Sequence, residues 1–269
     1  MLLLIDHVTR YRYGHPVRGV VQSHRLTPSR FDGQQVVEWN VTVSGGTPGG
    51  AFRDGAGDWV QGWTIKGPVD EIEVRVQGKV STTDLAGVLR GHRESTPPLA
   101  YLRETPATTL TPALMDLATS ATEADGSLGL AHALSLAVSE AIAYKPGATN
   151  AKTTAAEALA QGEGVCQDHA QVLCTIARAR GLPARYVSGY LLADAEGQAH
   201  EAAHAWAELY LEGLGWVGFD PANECCPDDR YVRLGSGLDA QEAAPIRGSA
   251  RTVGEERLDV TVAVLATQQ

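Results

Sequence analysis

The sequence predicts an α+β protein, with an antiparallel β-sandwich-like N-terminal domain followed by helices packed on a second antiparallel sheet. Three observations carry this. Over the first third of the chain, apolar and β-branched residues alternate with period two between Gly- and Pro-rich turns. From Pro112 to Arg180 the apolar spacing changes to the three-to-four residue period of a helix. After Pro183 the alternation returns, so helices precede a sheet in sequence rather than interleaving with it.

The elements follow in order. Leu2 to Tyr13, Val36 to Ser44, Trp59 to Lys66 and Glu71 to Val80 read as strands. Pro28-Ser29, Gly45-Gly46, Gly49-Gly50, Asp54-Gly55 and Gly67-Pro68 read as the turns between them. This gives a β-rich domain over residues 1–84. Residues 85–111, with Pro97-Pro98 and Pro106, read as a connector. The third unit, residues 112–269, opens with helices over Pro112 to Ala124 and Leu130 to Tyr144. Thr154 with Glu157 forms a capping box ahead of Ala155 to Gln161. Cys166 to Arg180 is the clearest helix, stopped by Gly181 and Pro183. Strands follow at Ala184 to Leu192, Ala203 to Leu211 and Trp216 to Phe219, with Gly213 and Gly215 in a hairpin, and a last strand at Leu258 to Leu265.

Composition narrows the function. A net charge of -10 and a pI near 5.2 argue against a nucleic-acid partner and against docking on anionic membranes. The apolar start Met1 to Ile5 is ended by Asp6, His7 and Arg10 before it could form a signal-peptide core. Four cysteines in 269 residues make no disulfide framework. These features suggest a cytoplasmic protein with reduced thiols.

The chemistry centres on Cys166, in Gly164-Val165-Cys166-Gln167-Asp168-His169 at the start of its helix. Unpaired N–H groups and the helix dipole favour a thiolate there, and an imidazolium partner would add to it. His204, in His204-Ala205-Trp206, supplies a candidate imidazole, and Asp220, in Phe219-Asp220-Pro221, a carboxylate to orient it. The Cys166 backbone N–H is the natural oxyanion donor. Each residue alone has an ordinary structural explanation: a packed thiol, a core histidine, a turn aspartate. Cys174 reads as such a packed thiol.

The motifs Gly164 to His169, Gly181-Leu182-Pro183-Ala184-Arg185-Tyr186-Val187-Ser188-Gly189-Tyr190, His204-Ala205-Trp206, and Gly215 to Asn223 resemble the bacterial transglutaminase-like superfamily. His7 to Tyr13 with Arg25-Leu26-Thr27-Pro28 resembles the β-rich region that precedes this core in many bacterial members. The resemblance implies a papain-like transglutaminase core over residues 112–269, with Cys166 as nucleophile, His204 as base and acid, and Asp220 as orienting carboxylate. It implies a thioester intermediate and a peptide or protein substrate. A peptidase or peptide amidase is the first reading, a transglutaminase-type amine acyltransferase the second, and a non-catalytic papain-like binding module the third.

Other residues in the same motifs have different readings. Asp168 suits a helix N-terminus and reads as structural, and His169 reads as packing or a neighbour of the cleft. Trp206 faces the same way as His204 and either shields it or belongs to the core. Cys225-Cys226 lacks the spacing of a zinc site, and no glycine run forms a phosphate loop. His200 and Glu201 read as a polar loop. No cofactor and no metal are expected.

Overall fold

The computed structural model describes residues 1–122, 126–192, 203–250 and 256–266. The N-terminal unit is built on two long strands, β1 (Leu2–His24) and β4 (Trp59–Thr82), paired antiparallel along their length. β2 (Gln34–Val43) pairs with the second half of β4 and β3 (Gly46–Arg53) with its first half. Alternation drives the burial: Leu3, Ile5, His7 and Thr9 on one face of β1 are buried, and the residues between them are not. Both halves of the long strands contribute to one core, with Leu3, Ile5 and Val76 from one half and Val20 and Ile65 from the other.

The strands expected at Trp59 to Lys66 and Glu71 to Val80 are therefore one strand, β4. Gly67-Pro68 marks an irregularity within it rather than a turn. The register against β1 shifts there, and a Cβ on Gly67 would lie 2.1 Å from the Val17 carbonyl oxygen, so only glycine admits this approach. β3 runs through Gly49-Gly50, which read as a turn; its backbone bonds to β4 hold it despite the glycines.

The connector carries two short 3₁₀ turns, at Pro98–Leu102 and Pro106–Thr108. Helices α1 (Pro112–Ser120), α2 (Gly126–Ala141), α3 (Ala155–Gln161) and α4 (Cys166–Ala179) follow. Ala124, expected to end the first helix, lies outside the described residues. The capping box of α3 is formed: Glu157 N–H donates to Thr154 Oγ1, and Thr154 N–H to Glu157 Oε2 at 2.9 Å. A short parallel pair, β5 (Ala143–Tyr144) and β6 (Glu163–Gly164), closes the loop that carries α3.

The second sheet holds β7 (Ala184–Leu191), β8 (Ala203–Leu211), β9 (Gly215–Phe219) and β10 (Tyr231–Gly237) in the order β10-β7-β8-β9, all antiparallel. Helix α4 packs on it through Ala170, Leu173, Cys174 and Ala177, against Ala205, Ala207 and Leu209 of β8. β11 (Ile246–Ala250) and β12 (Glu256–Ala266) then return to the N-terminal sheet and pair with opposite halves of β1. The final strand, expected within the unit 112–269, is thus part of the first sheet. No described helix is long and apolar enough to cross a membrane.

The two units meet over a buried chain of charge. Glu208 on β8 accepts from Arg185 Nε of β7 at 2.7 Å and from Arg233 Nε of β10 at 2.8 Å. Arg233 reaches on to Asp58, in the turn between β3 and β4, and Arg185 to Glu94 of the connector. Burial would raise the Glu208 carboxyl, but the two guanidiniums hold it down to about 2 from an ordinary 4.5.

Removing one partner of such a buried set leaves a charge uncompensated, which costs about 3–5 kcal/mol. Glu208→Gln should lower the urea-unfolding free energy by that order at pH 7. Because the folded value is depressed, the contribution is complete above pH 4.5. The gap between wild type and variant should therefore close as pH falls from about 4.5 to about 2. A gap that stays constant over that range would contradict this account.

Candidate active site

Cys166 opens α4, and the turn before it is held from three sides. Asp168 is fully buried, and its Oδ2 accepts from Val165 N–H at 2.8 Å and Thr149 Oγ1 at 2.6 Å. The carboxylate folds so closely over Gly164 that a Cβ there would lie 2.7 Å from Oδ2. His169 places Nδ1 2.9 Å from the Val165 carbonyl and Nε2 2.9 Å from that of Ile142. Asp168 and His169 are thus braces for the turn that presents Cys166, and Cys166 keeps 9% of its surface exposed. The Cys166 N–H is among the first of the helix and has no intrahelical acceptor.

His204 is the second residue of β8, opposite Gly189 of β7. Asp220 follows β9 and begins a tight loop closed by backbone bonds between Asp220 and Cys225. His204 Nε2 lies 2.6 Å from Asp220 Oδ2. The same oxygen accepts from Asn223 Nδ2 at 2.7 Å and from the Tyr231 hydroxyl at 2.8 Å, while Oδ1 accepts from Ala222 N–H at 3.1 Å. Every residue of Asp220-Pro221-Ala222-Asn223 except the proline therefore serves this carboxylate. Cys166 lies near enough to His204 to raise its imidazole. With Nε2 turned to Asp220, Nδ1 is the ring nitrogen left for the thiol.

The electrostatics follow from those contacts. Burial alone would lower His204. The hydrogen bond to Asp220 and the nearness of Cys166, with the attraction of their charges, outweigh it and raise the imidazole to about 10. Burial would likewise raise Asp220, but His204, Asn223 and Tyr231 hold it below the ordinary carboxylate value. An imidazolium at neutral pH is the state this arrangement favours.

Trp206 is 2% exposed and lies along the His204 ring, with centroids 6.4 Å apart and planes at 26°. Tyr231 meets it edge-on at 5.5 Å, and Val187 completes the cluster. Both readings of Trp206 hold together: it is core, and it is the apolar wall beside the imidazole. Tyr231 escaped the sequence reading because β10 was not recognised. The Tyr-Val-Arg-Leu alternation after Asp228-Asp229-Arg230 was the available signal.

The other thiols sit apart in character. Burial pushes Cys174 up to about 12 and Cys226 up to about 11, and raises Cys225, whose Sγ lies 3.3 Å from the Tyr231 hydroxyl. His200 and Glu201 lie outside the described residues.

Comparison with known proteins gives these elements a context. Residues 116–221 match the model of the transglutaminase-like superfamily, and residues 3–81 that of the bacterial transglutaminase-like N-terminal region. An uncharacterised protein of Mycobacterium leprae is 29% identical over 97% of each chain. An uncharacterised protein of Mycobacterium tuberculosis is 39% identical over 45% of this chain, which spans 42% of that relative's length. A protein-glutamine gamma-glutamyltransferase of Pseudomonas aeruginosa is 31% identical over 37% of this chain and 16% of its own. Among solved structures, a candidate cysteine protease from Cytophaga hutchinsonii superposes over 100% of this chain and 92% of its own, with a TM-score of 0.73 at 20% identity, and so shares the fold.

Cys166 should be the first thiol alkylated by iodoacetamide at pH 6.5, by roughly tenfold or more over the other three, since burial holds those in the thiol form. Peptide mass mapping of a time course reads this directly. Faster modification of Cys225 or Cys226 would remove Cys166 from the site.

Proposed function

We propose that this chain, which belongs to the transglutaminase-like superfamily, is a thiol enzyme that opens amide bonds of peptide or protein substrates through a thioester on Cys166. The observation that carries the reading is the His204–Asp220 pair at 2.6 Å, with three donors converging on one Asp220 oxygen and Cys166 near enough to raise the same imidazole. That geometry stabilises an imidazolium beside a sulfur, which is the resting state such chemistry uses.

The steps balance as follows. The Cys166 sulfur adds to the amide carbon, and the carbonyl oxygen takes the negative charge, accepting from the Cys166 N–H. The C–N bond breaks as His204 gives its proton to the departing nitrogen, leaving a thioester on sulfur and a neutral imidazole. Water then attacks the thioester carbon, His204 takes the water proton, and the carbon–sulfur bond breaks. The products are a free amine or ammonia and a carboxylic acid. No step asks for more than this chain's own groups and water. Hydrolysis, as a peptidase or peptide amidase, is our first reading, because water is the acceptor any open cleft admits. Amine transfer is the second, supported by the resemblance of this core to the Pseudomonas glutamyltransferase. In that case an amine replaces water in the last step and the other steps are unchanged.

Mass spectrometry of the acyl-enzyme trapped from a peptide-amide library tests the proposal. A mass added on Cys166 in wild type and absent in Cys166→Ala supports it. No adduct from any member, with the thiol still alkylatable, speaks for a binding module instead. Adding a primary amine and weighing the products separates hydrolysis from transfer.

The proton on His204 sets the pH dependence. Activity should fall as pH rises through about 10, where the imidazolium is lost. Asp220→Asn removes a charge that raises His204, so this basic limb should move to lower pH. Tyr231→Phe removes one neutral hydrogen bond, worth about 0.5–1.5 kcal/mol, and should cost at most roughly tenfold in kcat/KM. A basic limb unmoved in Asp220→Asn would mean that Asp220 does not act through His204.

A further inference from the structure

Away from Cys166, a cavity of about 670 Å³ opens where the N-terminal unit meets the connector. That volume is typical of small-ligand clefts. Its chemistry runs against the chain as a whole. The protein carries a net charge of -10, yet Arg30, Arg53 and Arg93 all line this cavity. Asp32 is the only carboxylate in the lining, and Arg90 already holds it, Nε to Oδ2 at 2.9 Å. Among the described residues, Arg30 and Arg93 make no ion pair. Arg53 gives one N–H to the Gly57 carbonyl at 2.8 Å and lies over the Trp59 ring, which positions the guanidinium without neutralising it.

The walls are pre-built. His92 Nε2 lies 2.7 Å from the Ala56 carbonyl, and the backbone N–H groups of Ser95 and Thr96 both donate to Gly55. Asp32 N–H donates to the Arg90 carbonyl at 2.9 Å. Two glycines make this closeness possible. At Gly57 a Cβ would lie 2.1 Å from the Arg93 carbonyl, and at Gly91 it would lie 2.2 Å from Asp32 Oδ1; both also take positive φ, +81° and +80°. The three segments that bear the arginines are therefore stapled together before any ligand arrives, which lowers the ordering cost of binding.

We propose that this cavity is a binding site for a small molecule bearing a multivalent oxyanion, of the phosphate-ester or pyrophosphate class. Three guanidiniums with one spoken-for carboxylate leave a positive excess that a monocarboxylate cannot match. Phosphate oxygens accept the paired N–H groups of arginine in bidentate fashion. A single bounded cavity on an acidic chain suits a small anion rather than a polymer, since binding nucleic acid needs an extended basic face. The inference is independent of the thioester chemistry and holds whether or not Cys166 turns over a substrate.

Isothermal titration of the full chain with pyrophosphate at low ionic strength tests it, with inorganic phosphate and citrate as parallel titrants. Arg30→Gln and Arg93→Gln are changes at exposed side chains, and an unchanged thermal midpoint verifies the fold. The expected result is one pyrophosphate site, weakened about tenfold or more by either substitution and only partly kept by Arg93→Lys, whose ammonium lacks the bidentate fork. The alkylation rate of Cys166 should be unchanged in these variants. The absence of saturable pyrophosphate binding would overturn the proposal. So would binding that survives both glutamine substitutions, or citrate binding as tightly as pyrophosphate.

Discussion

Glu208 is the residue on which both units of this protein depend. It is almost wholly buried, as are Arg185 and Arg233, which flank it on β7 and β10. Moving such charges out of water is costly, and their mutual attraction repays it only where every partner is in place. Here the members come from five separate stretches of chain: Asp58 from the β3–β4 turn, Glu94 from the connector, and three strands of the second sheet. Arg185 further lies 4.0 Å over the Trp216 ring, whose Nε1 donates to Glu94. Neither unit can shift against the other without stranding one of these groups. Side chains two apart on a strand share a face, so His204, Trp206 and Glu208 form one row along β8. The ionic chain that joins the units thus also holds the strand that presents the imidazole.

At the other end of that row the logic is repeated on a smaller scale. Asp220 is a buried carboxylate, and it too is retained in charged form by donors rather than by solvent. Its donors come from its own loop, from His204 on β8 and from Tyr231 on β10, two residues before Arg233. Trp206 lies between the two polar clusters and needs room. Gly189 supplies it, where a Cβ would strike the indole at 2.7 Å, while at Gly218 a Cβ would lie 2.9 Å from the Pro227 ring. The glycine of the Val-Ser-Gly-Tyr segment is explained by the indole, and that of Val-Gly-Phe-Asp by the approach of Pro227. An apolar wall beside His204 strengthens its bond to Asp220, because the local dielectric is low.

What the sequence revealed and what it hid divide along a physical line. Helix α4, its Gly-bounded start and the Thr154–Glu157 capping box were legible because each is specified within a few residues. Cys166, His204 and Asp220 could be singled out from three separated motifs; the fold puts His204 Nε2 2.6 Å from Asp220 Oδ2, with Cys166 near enough to raise the same imidazole. The missed features are all nonlocal. β3 is a strand only because β4 offers it partners, since its own Gly49-Gly50 favours a turn. β4 reads as two strands unless the approach of Val17 to Gly67 is known. β10 was obscured by Gly235 and Gly237 and by Arg233, a charge whose burial makes sense only once Glu208 and Asp58 are placed beside it. Tyr231 was lost with that strand. The position of β12 could not be inferred from its alternation, which specifies a strand but not its neighbour.

That last placement changes how the N-terminal unit is understood. β11 and β12 flank β1 from the chain's far end, so the segment carrying the site is enclosed between strands of a single sheet. The core of that sheet also takes in Tyr190, Val232 and Leu234 from β7 and β10. Tyr190 donates to or accepts from His7 Nδ1 at 2.8 Å, a buried contact whose imidazole burial lowers to about 4. Tyr190 continues the face of β7 that carries Ala184 and Tyr186, so beyond the helices that face is covered by the first unit rather than by water. An all-antiparallel sheet with helices on one face ordinarily leaves the other face polar. Here the face turned from the helices carries Arg185, Glu208 and Arg233, and their further partners Asp58 and Glu94 come from segments that precede the helices. The β-rich unit accordingly packs against both sides of the second sheet, and Asp58 fixes Arg233 on β10, two residues from the Tyr231 that donates to Asp220.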